Sequence, residues 1–125
     1  MRFVHELEHE PSALRPARNA LEAWCVAQGV DPESIVIMAN ELCTNAIRDG
    51  KGPVTLSGSC STQWLSISVQ QRGSVSLAMP PRAWALELRI AGRGLRMVDS
   101  LAQSWGWQTT ADQTLVWARI ARVSS

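Results

Sequence analysis

The chain has 125 residues, 12 basic and 11 acidic, for a net charge of +1. One domain of this length buries roughly two-thirds of its unfolded surface and stands without staples, and so even a charge balance gives no electrostatic case for nucleic acid or an anionic membrane. The three cysteines, Cys25, Cys43 and Cys60, are odd in number, widely spaced and set among apolar neighbours. They read as free thiols of a reducing compartment rather than a disulfide or a metal site. The N-terminus lacks an apolar signal core, and the longest apolar run, Ile35 to Ala39, is far short of a membrane span. A soluble, cytoplasmic, single-domain protein over residues 1–125 is therefore expected.

In chain order, Phe3 to Glu8 carries β-formers up to the Pro11 break and predicts a first strand. A helix follows, with Ser12 as the expected cap. Leu14, Ala17, Leu21, Trp24 and Cys25 recur at helical spacing up to a stop at Gly29. Asp31-Pro32-Glu33 combines a capping acceptor, a proline at the first helical position and a carboxylate in the first turn. The helix it starts is predicted to reach about Arg48. Its buried stripe is Ile35, Met38, Ala39, Leu42 and Ala46; beside it run the polar residues Glu41, Asn45 and Arg48.

After the turn Asp49 to Pro53, the segments Val54 to Ser57 and Trp64 to Val69 alternate as the strands of a hairpin. From Arg72 to Ala91 the periodicity dissolves around Pro80-Pro81, as in a lid. Gly92-Arg93-Gly94 leads into a short amphipathic helix marked by Leu95, Val98, Leu101 and Ala102. Trp105 to Gln108 and Thr114 to Ile120 close the chain as two strands turned at Ala111-Asp112. The order predicts an α+β fold: a two-layer sandwich with helices on one face of a mixed, mainly antiparallel sheet.

Glu41-Leu42-Cys43-Thr44-Asn45-Ala46 is the most informative segment. The i, i+4 spacing puts a carboxylate and an amide on one helix face; the first can take or orient a proton, and the second can ligate a hard cation through its oxygen. About fifty residues later, Gly92-x-Gly94 at a helix start offers bare N–H groups and a positive dipole end, which suit phosphate. Taken singly, Glu41 and Asn45 read as a solvated stripe and the glycines as a turn; order and spacing promote them. Most of the six tryptophans read as core filling, with Trp84 in the lid as the exception. His5-Glu6-Leu7 is similar to a sensor-kinase phosphoacceptor box, but no long helix precedes it, so a strand-edge histidine is the preferred reading.

These elements, over essentially the whole chain, resemble the Bergerat-fold ATPase domain shared by gyrase, Hsp90, histidine kinases and MutL. The closest likeness is to its short single-domain branch, the anti-sigma-factor serine kinases. The resemblance implies ATP and Mg²⁺ as cofactors, Glu41 as the catalytic residue that orients or deprotonates the attacking hydroxyl, and Asn45 as the metal ligand. It further implies nucleotide contacts from Gly73, Gly92, Arg93, Gly94 and Leu95, and from Thr114 through water to the adenine. Gln71 stands where the family has an aspartate that accepts from the adenine amino group. A glutamine carbonyl can accept the same bond, but as a neutral group it makes one about half as strong.

The function implied is a regulator that sequesters a partner such as a sigma factor and phosphorylates a serine of an antagonist protein, a partner set that also allows a homodimer and has no place for nucleic acid or membrane. Whether phosphate is transferred stays open. The alternative is a non-catalytic module of the same fold that acts by protein binding with weak or no nucleotide binding. A weaker rival is the catalytic domain of a split histidine kinase.

Overall fold

The computed structural model describes residues 1–49, 52–72, 93–110 and 112–122. Strand β1 (Arg2–Leu7) leads through a single 3₁₀ turn, Pro11–Ala13, into helix α1 (Leu14–Ala27), followed by α2 (Glu33–Asp49) and the hairpin strands β2 (Val54–Cys60) and β3 (Trp64–Arg72). Helix α3 (Arg93–Leu101) precedes the last pair, β4 (Ser104–Thr109) and β5 (Gln113–Ala121). The predicted lid, save Arg72, and the residues Gly73 and Gly92 lie outside the described residues.

The helix ends have local causes. Asp31 caps α2, its Oδ1 accepting from the Glu33 N–H at 3.1 Å, and Pro32 supplies the first helical carbonyl, bonded by the Val36 N–H at 2.8 Å. At the other end of α1, Gly29 takes φ +74°. Its N–H reaches the Val26 carbonyl while the Val30 N–H reaches that of Cys25, the paired bonds of a Schellman stop that a left-handed glycine permits. Ser12 corrects an expectation: it does not cap α1. It lies inside the 3₁₀ turn, donates to Glu10 Oε1 at 2.9 Å, and leaves α1 to begin without a side-chain cap, because the turn itself feeds the chain into helical geometry.

The five strands form one sheet in the order β1-β2-β3-β5-β4. Every pairing among the described residues is antiparallel. Alternation fixes what each face carries. Leu7, Val54, Leu56, Leu65, Ile67, Val69 and Ala118 are buried on one side of the sheet, where α1 packs on β1 and α2 on β2 and β3, with α1 and α3 flanking α2. The predicted stripe of α2 is buried throughout, joined by Cys43 and Ile47, and α1 contributes Ala17, Leu21 and Cys25. Val98 of α3 completes this core, with Leu101 and Ala102 packed against it.

The opposite face has no helix among the described residues. It is rich in serine, with Ser57 opposite Ser68 and Ser59 opposite Ser66, and it carries two of the tryptophans expected in the core. Trp64 lies under the Arg119 guanidinium, 4.3 Å from its ring centre, an arrangement that suits a half-covered aromatic. Trp117 lies over Gly106, where a Cβ would come within 2.9 Å of its ring. Trp24 does face the core, tilted against Phe3 with ring centres 5.5 Å apart. No helix among the described residues is long and apolar enough to cross a membrane.

Candidate functional site

Helix α2 places Glu41 and Asn45 one turn apart on the flank that is half-buried rather than open to solvent. Leu42 and Cys43 between them and Ala46 just after are buried, so the polar pair borders the core. The Asn45 amide nitrogen is shielded from solvent. The preceding residue, Thr44, donates one turn back to the Asn40 carbonyl at 2.6 Å, a local bond that occupies its hydroxyl within the helix.

The sheet supplies the second part. Strand β3 runs on past Val69 through Arg72, so Gln71 is an inward-facing strand residue. It is 6% exposed, and Thr114 is 3% exposed. The two are paired directly across β3 and β5. The cross-sheet row is Leu7, Val54, Gln71, Thr114 and Thr109, so apolar residues on one side give way to a polar floor under the helices.

The Thr114 hydroxyl is buried and has no hydrogen-bond partner among the described residues. A buried hydroxyl without a partner costs about 1–3 kcal/mol, and native folds keep such groups where a ligand or water meets them. The neighbouring amide behaves differently: Gln70, on the helix-free face, donates to Gln113 Oε1.

The third part is α3. Its backbone begins at Arg93, so Gly94 lies in its first turn, which leaves the N–H groups there without intrahelical acceptors. The side chains of Arg93 and Leu95 lie outside the described residues. Helix α2 packs against both α3 and β3, so the elements that carry Glu41, Asn45, Gln71 and Gly94 adjoin one another although they are dispersed along the chain.

A narrow groove too tight to hold a water is lined by Leu14, Ala17, Arg18, Ala39, Asn40, Cys43 and Leu56. Arg18 donates to Asn40 Oδ1 across its lip at 3.4 Å. Helical spacing puts Asn40 and Cys43 roughly opposite Glu41 and Asn45 on α2, so this groove is separate from the polar floor. Sequence spacing gave no sign of it, because Arg18 and Asn40 belong to different helices.

The cysteines behave as expected of thiols in a core: Cys25 and Cys43 are free and buried, and Cys60 is free and half-buried. Burial pushes Cys43 up to about 12. Cys25 rises to about 11, mainly by burial and then by the charges of Cys60 and Glu22. No group of three or more His, Cys, Asp or Glu among the described residues could hold a metal.

Residues 7–120 match the family model of the histidine kinase-like ATPase domain. No curated protein matches the chain.

Proposed function

The chain belongs to the histidine kinase-like ATPase domain family, and we propose that it is an ATP-binding regulator that phosphorylates a serine of an antagonist protein while sequestering a partner regulator. The observation that carries the nucleotide part is the buried, register-paired Gln71 and Thr114, whose hydroxyl lacks a partner among the described residues. A purine edge offers what such a floor needs, hydrogen-bonding groups on a flat apolar body, so the residues present fit the base. Bound ATP with Mg²⁺ would supply the transferable phosphoryl group and its charge neutralisation.

In this reading the chain's own residues position rather than react. Gln71 and Thr114 hold the base, the first-turn N–H groups of α3 face the phosphates, and Asn45 offers its amide oxygen to the cation. Glu41, half-buried beside apolar residues, orients or accepts the proton of an incoming serine hydroxyl. The acceptor serine comes from the partner protein, which in this reading is a sigma-factor antagonist, and the domain works in the cytoplasm. Self-association as a homodimer is compatible with it.

Titration of the purified chain with ATP, with and without Mg²⁺, tests the reading. Saturable, Mg²⁺-dependent binding is expected. No binding under either condition would leave the second reading, a protein-binding module, which the neutral Gln71 favours because the carboxylate that would strengthen base binding is absent.

A further inference from the structure

The end of β3 offers a hydrogen-bond donor that the adenine reading leaves unused. Gln71 is a primary amide in a nearly dry position, and its cross-strand neighbour is a hydroxyl with no partner among the described residues. We propose that this amide–hydroxyl floor accepts guanine as well as adenine, so the ligand class is purine nucleoside triphosphates rather than ATP alone. The proposal rests on the nucleotide reading above and specifies the base.

The argument is one of donors and acceptors. Adenine presents an amino donor beside a ring-nitrogen acceptor; guanine presents a carbonyl acceptor beside a ring N–H donor. A carboxylate is acceptor-only. It pairs with the adenine amino group and confronts the guanine carbonyl with a second acceptor, which is how a buried polar site rejects an analogue strongly. An amide carries one acceptor and two donors on a terminal torsion with two-fold freedom. Turned one way it pairs with adenine, turned the other with guanine.

The neighbouring floor group is equally permissive, since a threonine hydroxyl donates or accepts as required. Nothing charged faces the pair from its own row, where the flanking residues are Val54 and Thr109. The other amide at this strand end, Gln70, already has its partner in Gln113. Among the described residues of β3, Gln71 is thus the one amide on the inner face of its end.

The experiment is calorimetry of Mg-ATP and Mg-GTP on the full chain, on Gln71→Asp and on Gln71→Leu, with thermal melts to confirm that each variant folds. In the parent chain the two dissociation constants are expected within about tenfold of each other. In Gln71→Asp, ATP should tighten about fivefold, and GTP should weaken relative to ATP by about ten- to a hundredfold, the discrimination typical of one base-edge pair. In Gln71→Leu both should weaken. A parent chain that binds ATP but GTP at least a hundredfold more weakly would overturn the inference and leave the nucleotide reading intact. Absence of binding by both nucleotides would overturn the two together. An unchanged ratio in a folded Gln71→Asp would show that residue 71 does not read the base.

Discussion

Thr114 separates structural from ligand-directed explanations of the polar floor. Its hydroxyl is buried without a partner among the described residues, so Thr114→Val removes a desolvated group and keeps the shape. The variant should be more stable by about 1 kcal/mol, a rise in melting temperature of roughly 3–5 °C for a domain of this size, while nucleotide affinity falls. A drop in melting temperature would mean that the hydroxyl has a structural partner. Glu41 and Asn45 divide in another way. Glu41→Ala should leave ATP affinity within about threefold and abolish transfer to an acceptor serine, a loss of at least the 10²-fold that general-base catalysis provides. Asn45→Ala should instead remove the Mg²⁺ dependence of binding. Radiolabelled transfer assays alongside calorimetry with and without Mg²⁺ distinguish the two, and equal loss of binding in both variants would contradict these roles.

Between elements, a single residue, Gly58, sets how closely the end of α1 approaches β2. A Cβ at Gly58 would come within 2.9 Å of the Trp24 ring, and that ring is held on its other side by Phe3. Gly58→Ala should therefore shift the end of α1 and cost about 1–3 kcal/mol by overpacking, measurable as a lowered urea midpoint with altered tryptophan fluorescence; a change below about 0.5 kcal/mol would show that the ring has room to move. Gly58 was not foreseeable from the sequence, because nothing in the strand pattern says which helix residue lies above it. The same limit explains Trp64 and Trp117. Their alternation was visible, but which side of the sheet the helices cover depends on the whole assembly. Where the cause is local, the sequence was sufficient: the Asp31 cap, the Gly29 stop and the α2 stripe all follow from neighbours within a turn or two. The candidate site was readable only as residue types, at Glu41, Asn45, Gln71 and Thr114. That Gln71 and Thr114 are direct partners was not, since it depends on the register of β3 against β5.

The whole molecule has an unusual titration range that exposes its core. It contains no tyrosine and one lysine, Lys51, so few groups other than thiols change charge above pH 9. Two of those thiols, Cys25 and Cys43, are buried, and both have folded-state values raised above 9.0, to about 11 and about 12. In the unfolded chain they would lose their protons near their ordinary value, while in the folded chain they keep them. The unfolded state then binds fewer protons, so stability is fully present below about pH 9 and falls as pH rises through 11 and 12. Each thiol can contribute a slope of up to about 1.4 kcal/mol per pH unit. Urea midpoints measured between pH 8 and 10.5 under reducing conditions should therefore decline steadily. Cys43→Ala should be less stable at pH 8 because it opens a cavity in the core, yet its midpoint should decline with about half the parent slope. An equal slope in parent and variant would mean that Cys43 ionises in the folded state, and that the layer between α2 and the sheet admits water.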